Sequence, residues 1–471
     1  MTSADGAPHA PRSVPATADS GAVAVMGLEL NADRVIPRKQ VFSWALWDWA
    51  TQPFNSVILT FVFTALYLVG DSFLPPEVAA LPDTDPVKEQ AIAGLTGGLG
   101  LATTIAGLLI AVLAPVLAQR ADAAGRRKRW LLIYTGGLIL AMALLFFVRA
   151  DPAYFVLGVV LIAAATVFSE LAAVNYNAML VQVSTPATVG RVSGLGWGMG
   201  YVGGIVALVI VVVCNAGNWF GMSTDDGLPY RVIAVGCAVW AVVFIIPLIR
   251  NVPETPALTT GRRPGFFASY VDLGRHVARI FRESRPTFWF LIASAVYRDG
   301  LSGVFTFGAV IAAAVFGFSH NEVIVFGIAA NLVAGISTIL AGRLDDRFGP
   351  RAVIVGALAI LVAAGLAVFL LHDAGAVVFW ICGMVLSALV GPVQSASRSL
   401  LARVTPVGRE GEIFGLYATT GRAASFLASG LWTLCIAIFG ATYWGVLGIV
   451  VVIALGLALM LLVKMPHTRA V

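Results

Sequence analysis

Twelve long apolar runs constrain this chain more than any other feature. They fall at about 41–69, 91–118, 130–148, 154–181, 192–214, 230–249, 287–315, 322–342, 352–371, 376–400, 412–437 and 442–463. Crossing ~30 Å of hydrocarbon takes about 20 apolar residues in a helix, and every run is long enough. Composition agrees: 59% of residues are hydrophobic and 12% charged, about half the charged share of soluble domains. The expected fold class is an all-α integral membrane protein with twelve transmembrane helices in two pseudo-symmetric six-helix bundles.

The placement of Lys and Arg gives an orientation. Arg120, Arg126, Arg127, Lys128 and Arg129 follow the second run, and Arg343, Arg347 and Arg351 follow the eighth. The middle loop holds seven arginines between Arg250 and Arg285. The opposite loops carry only Lys88, Arg149 and Arg231 among acids such as Asp71, Asp85 and Asp226. This asymmetry predicts both termini in the cytoplasm and accounts for the net charge of +5 without nucleic acid; the expected location is a prokaryotic cytoplasmic membrane. The expected divisions are a disordered cytoplasmic tail (1–38), an N-terminal bundle (39–249), a cytoplasmic linker (250–286) and a C-terminal bundle (287–471). The tail has no basic region followed by an apolar core, so it does not read as a signal peptide. In the linker, Phe266, Tyr270, Leu273, Val277 and Phe281 recur at helical spacing, with Arg275, Arg279 and Arg282 elsewhere. An amphipathic surface helix is expected, either as a linker lying on anionic lipid or as a regulatory element.

The two halves repeat. "LAQRADAAGRRKR" (Leu117–Arg129) follows the second run, and "LAGRLDDRFGPRA" (Leu340–Ala352) follows the eighth. "VSTPATVGRVSGLG" (Val183–Gly196) enters the fifth, and "VTPVGREGEIFGLY" (Val404–Tyr417) enters the eleventh. Two landmarks at nearly the same offset indicate a duplicated unit, as in many secondary transporters.

The tight turn with Asp, Gly and Arg resembles the signature of the major facilitator superfamily. "WALWDWA" (Trp44–Ala50), "GRVSGLGWGMGYVGG" (Gly190–Gly204), "VYRDG" (Val296–Gly300) and "SRSLLARVTPVGREGEIFGLY" (Ser397–Tyr417) resemble the Unknown Major Facilitator family, which includes fungal vacuolar amino-acid effluxers. The resemblance covers residues 41 to about 463 and implies the major facilitator fold and amino-acid efflux. It also implies gating turns at Asp122, Gly125 and Arg127 and at Asp346, Arg347 and Gly349. Ala118 departs from the pattern, standing where the first turn usually has Gly, which Gly342 keeps in the second. Physically, Gly permits the sharp reversal, and the Asp can accept from a helix N-terminus or pair with Arg127 or Arg347. The turns are therefore either topology signals or latches between the halves.

Charges inside the runs mark the candidate site, because a charge at mid-membrane costs at least ~2.5–3.5 kcal/mol and must find a partner or water. They are Asp48, Glu170, Arg298, Asp299, Arg398 and Arg422: three carboxylates and three guanidiniums. Asp48 with Gln52 and Asn55 forms one helical face, which Thr51 extends. Asp48 and Arg398 lie nearer the cytoplasmic ends of their runs, where snorkelling or a structural ion pair is, for each, the alternative to substrate contact. Asp299 and Arg422 are candidates to line a cavity, while Arg298 and its neighbour Tyr297 complete the "VYRDG" segment. Glu170 and Asn177, seven apart, share a face; Glu170 reads equally as a proton site or an interhelical staple. Trp197, Tyr201 and Gln394 face either the cavity or neighbouring helices.

No phosphate loop, histidine cluster or nucleophile motif is present, so the chain is not expected to be an enzyme. Its four cysteines lack metal-ligand spacing, and no metal or cofactor is expected. The expected function is a secondary transporter of a small polar or zwitterionic solute, proton-coupled, working by alternating access. A lipid or drug transporter of the same fold and a non-transporting receptor are the alternatives. The expected partners are a small-molecule substrate, a proton and the lipid bilayer, with no nucleic acid; the protein is expected to act as a monomer.

Overall fold

The computed structural model describes residues 27–82, 85–223, 225–254 and 266–463. The N-terminal half comprises α1 (Arg38–Pro53), α2 (Pro86–Ala124), α3 (Arg127–Leu144), α4 (Phe155–Ala178), α5 (Val189–Ala216) and α6 (Leu228–Asn251). The C-terminal half comprises α7 (Arg285–Ala314), α8 (His320–Phe348), α9 (Pro350–Leu370), α10 (Ala376–Val404), α11 and α12 (Trp444–Leu462). Helix α11 is built in two pieces, Glu410–Ala424 and Leu427–Phe439. Beyond Pro53, α1 continues to Leu68 in widened turns, with Val62 N–H bonded to Val57 O at 3.0 Å.

Among the described residues, eleven helices are long and apolar enough to span a membrane. The remaining helix, α7, is 30 residues long, but Arg298 and Asp299 lie in its middle and lower its apolarity. Leu140, Val212, Leu370 and Leu455 are exposed. These outward apolar surfaces suit a bilayer, where hydrocarbon is the solvent.

Packing repeats between the halves. Helix α1 lies against α5 and α6, as α7 lies against α11 and α12. The pairs α2–α4, α3–α4 and α3–α6 recur as α8–α10, α9–α10 and α9–α12. The halves meet along two seams, α2 against α11 and α5 against α8, which exchange under the same symmetry. Both seams close at the end carrying the Asp–Gly turns, called here the basic end. A Cβ on Gly194 would lie 2.7 Å from Thr338 O, and one on Gly415 would lie 2.6 Å from Pro115 Cα. Only glycine allows this approach of the backbones. Toward the opposite end, Gly100 and Gly107 of α2, Gly327 of α8 and Gly430 of α11 have open space in the same test.

The linker carries the expected helix, Phe266–Glu283. Leu273, Val277 and Ile280 pack on the core, and the Tyr270 hydroxyl donates to Val112 O on α2 at 3.2 Å. Phe281, placed on the apolar face by spacing, is 43% exposed.

The disordered tail expected over 1–38 lies outside the described residues up to Met26. From Gly27 it is corrected, because the chain docks at the basic end. Gly27 N–H donates to Thr405 O (3.0 Å), Leu28 is buried, and Asn31 Nδ2 donates to Val181 O (2.6 Å). This short segment thus ties the α10–α11 loop of one half to the α4–α5 loop of the other.

Candidate functional site

The two Asp–Gly turns form first, from local geometry. Gly125 ends α2 at φ 58°, and Gly349 ends α8 at φ 83°, ψ 151°, backbone conformations that favour glycine. Each turn aims its Asp at the other half. Asp122 Oδ2 accepts from Glu412 N–H (3.1 Å) at the start of α11. Asp346 accepts from the N–H groups of Gly190 (2.7 Å) and Arg191 (3.1 Å) at the start of α5. The first turns of these helices have free N–H groups and a positive dipole end, so a carboxylate is stabilised there. Arg127 pairs with Asp122 at 2.5 Å and also with Glu410. The expected Asp346–Arg347 pairing is corrected: Asp346 pairs with Arg191 at 2.8 Å, while Arg347 is exposed and lies over the Phe348 ring.

Deeper in, α10 sends Arg398 across to the N-terminal half. It donates to Asn177 Oδ1 (2.9 Å), Ser193 Oγ (3.0 Å) and Ser193 O (2.6 Å), and lies 3.6 Å from Asp48. Its guanidinium also lies over the rings of Trp44, Tyr176 and Trp197. Tyr176 is stacked between Trp44 and Trp47, with centroids 4.3 and 4.4 Å away. The space for this cluster comes from Gly196. A Cβ there would lie 2.8 Å from Arg398 Nη2, 2.8 Å from the Tyr176 hydroxyl and 3.1 Å from Asp48 Oδ2.

Above Arg398, Glu170 on α4 pairs with Arg422 on α11 at 2.5 Å. About a third of each side chain is exposed, 36% and 33%. Arg422 lies twelve residues into α11, about 18 Å from the basic end. Among the described residues, no hydrogen bond between the halves lies farther from the basic end than the level of this pair and Thr419–Ala111 (3.0 Å). The pair is therefore, among the described residues, the outermost ion pair between the halves. On α1, between Ser43 and Ile58, Asp48, Gln52 and Asn55 are half-buried, as is Trp49, and the remaining residues are buried. Thr51 does not join it; its hydroxyl donates to Trp47 O. Trp197, Tyr201 and Gln394 are half-buried, and Tyr201 Cβ approaches Gly335 across the α5–α8 seam.

The α7 segment is the main departure from the sequence reading. Asp299 does not meet Arg422. It is buried, and its Oδ2 accepts from Ala428 N–H (2.6 Å), capping the second piece of α11. The break in α11 creates a helix N-terminus inside the membrane, and Asp299 satisfies it. Tyr297 is fully buried, its hydroxyl 2.6 Å from Ser397 Oγ. Arg298 donates to Tyr417 O (3.1 Å) and lies 3.9 Å over the Tyr417 ring.

Sequence reasoning missed Glu410, Ser193, Arg191 and Arg403, which donates to Pro186 O at 2.9 Å. The signal for most of them was the paired Val-Gly-Arg string, Val189–Arg191 and Val407–Arg409, at each seam's helix start. Among the described residues, no group of His, Cys, Asp and Glu is placed to hold a metal.

Comparison with known proteins follows this geometry. The proton:xylose symporter XylE superimposes with a TM-score of 0.69 at 14% identity, over 92% of this chain and 96% of its own. The transporter FucP, in an outward conformation, gives 0.66 at 14% identity, over 91% and 99%. These likenesses establish the major facilitator fold. The MFS-type transporter YxiO of Bacillus subtilis (strain 168) is 25% identical over 430 residues, 90% of this chain and 94% of that protein. Autophagy-related protein 22 of Cryptococcus neoformans (strain B-3501A) is 26% identical over 266 residues, 51% of this chain and 46% of the fungal one. The chain is thus an integral membrane transporter of the major facilitator superfamily rather than an enzyme. The family model described as vacuole effluxer Atg22 like matches residues 182–470, which span both seam-forming helix starts and all of the C-terminal half, and the chain belongs to that family.

Proposed function

We propose that the protein exports a small zwitterionic solute, an amino acid, by proton-coupled alternating access. The Glu170–Arg422 pair carries this reading: it joins the halves at 2.5 Å while both side chains stay partly exposed. A zwitterion offers each member a replacement partner, its carboxylate to Arg422 and its ammonium to Glu170. A proton on Glu170 removes the anion from the pair and so releases Arg422. Either event dissolves the outermost polar tie between the halves, which is the change a rocking motion requires.

The other candidates divide by position. Gln52, Asn55, Trp197, Tyr201 and Gln394 line the pathway near the pair. Asp48, Asn177 and Arg398 form the closed floor below it. Tyr297, Arg298 and Asp299 act structurally, holding α7 to the broken α11. Asp122 and Asp346 latch the closed end. The clustering of Arg and Lys in these loops supports a reading with that end, and both termini, on the cytoplasmic side. The described arrangement then faces outward, with bundles 39–249 and 287–463 as the rocking bodies.

The test is transport in liposomes, with a panel of amino acids under an imposed pH gradient. Glu170→Gln is expected to lose gradient-driven accumulation by on the order of tenfold while retaining exchange, and Arg422→Gln to lose both. Full gradient-driven accumulation by Glu170→Gln would overturn the coupling role. Failure of the parent to exchange any amino acid would overturn the substrate class.

A further inference from the structure

A second feature lies outside the pathway, on the face turned to lipid. Helices α8 and α9 separate near the basic end and leave a groove of about 520 Å³, floored by Ala388, Leu389 and Pro392 of α10. Its lining is almost entirely apolar. Leu340, Leu344, Phe348 and Ile360 stand on its rims with half or more of their surface exposed. The wall across from α8 contains Gly356, where a Cβ would meet nothing within 4 Å. From Ser337 to Phe348 the groove follows eleven residues of α8, about 16 Å. That is half of a ~30 Å hydrocarbon core, the depth of one leaflet.

The mouth of the groove is cationic. Arg343 and Arg347, in the last turns of α8, are exposed. Arg347 lies over the ring of Phe348, itself part of the rim. Arg351 is held by Val463 O (3.1 Å) and Leu461 O (3.2 Å) at the end of α12. Two guanidiniums therefore stand at headgroup level above an apolar slot one leaflet deep.

We propose that this groove is a binding site for one anionic phospholipid. Its acyl chain lies between α8 and α9, and its phosphate meets Arg343 and Arg347. Charge complementarity selects the headgroup, and the groove's length and apolar lining select the chain. The site adjoins the Asp346 turn on the same helix, so the bound lipid braces the α8 end that caps α5.

Native mass spectrometry of the purified protein, titrated with phosphatidylglycerol or phosphatidylcholine of matched chains, tests this. The parent is expected to hold its first phosphatidylglycerol more tightly than its first phosphatidylcholine. Removing one arginine (Arg343→Gln or Arg347→Gln) is expected to weaken phosphatidylglycerol about fivefold and leave phosphatidylcholine unchanged. Gly356→Leu fills the groove. Displacing two methylenes weakens both lipids about tenfold. Equal binding of the two lipids by the parent would leave only ordinary lipid contact and overturn the proposal. Unchanged binding by Gly356→Leu would overturn it as well. If that variant does not fold, the arginine variants decide: an unaltered preference in both would sink it.

Discussion

The two Asp–Gly turns are copies of one device, yet they are wired differently. In both, a carboxylate at the end of a long helix caps the N-terminus of a helix from the other half. Around Asp122 the device is dry. Asp122, Arg127 and Glu410 keep 2%, 4% and 5% of their side chains exposed. Around Asp346 it is wet: the partner Arg191 is 55% exposed, and much of the bonding goes to backbone N–H groups. Removing a member of a buried, hydrogen-bonded ion cluster forfeits charge-assisted hydrogen bonds made away from water, whereas an exposed pair is screened by solvent. The two copies thus share their capping geometry, and the copy at the α2–α11 seam is the more buried.

This asymmetry can be broken by substitution. A suitable reporter is Ser395→Cys in a background without the four native cysteines, labelled by an impermeant maleimide, because Ser395 is buried at the basic end beside Ser193. The largest effect is expected from Asp122→Ala. It removes the Asp122 acceptor from both Arg127 and Glu412 N–H while Arg127 keeps Glu410, a loss of about 3 kcal/mol of closed-state preference, so labelling of the reporter rises on the order of a hundredfold. Asp346→Ala removes a helix cap and is expected to cost about 1–2 kcal/mol, raising labelling on the order of tenfold. Arg191→Ala is expected to change it by less than about 1 kcal/mol. Equal labelling in the two Asp variants would abolish the distinction between dry and wet latches. A larger effect of Arg191 than of Asp346 would reverse the account of the second.

Much of this was legible in the sequence for physical reasons. Spans follow from apolar length, which acts residue by residue. The Asp–Gly turns were legible because glycine and a capping carboxylate leave a local signature, and the repeat paired them. What was not legible was which charge meets which. Depth in the C-terminal half marks both Asp299 and Arg422 as candidates to line a cavity; α11 breaks between Ala424 and Leu427, and the new helix end captures Asp299. No proline or long polar stretch marks that break. Glu170 stands out in the sequence as a charge inside an apolar run, but its partner lies 252 positions away, and nothing local in either segment encodes the pairing.

The segment from Gly27 to Asn31 has a mechanical consequence. It is bonded to Thr405 on one half and to Val181 on the other. Four residues of fully extended chain reach at most about 14 Å. The segment is therefore a tether of fixed maximum length across the mouth that must widen when the basic end opens. Small separations take up its slack, and larger ones must strip away one anchor.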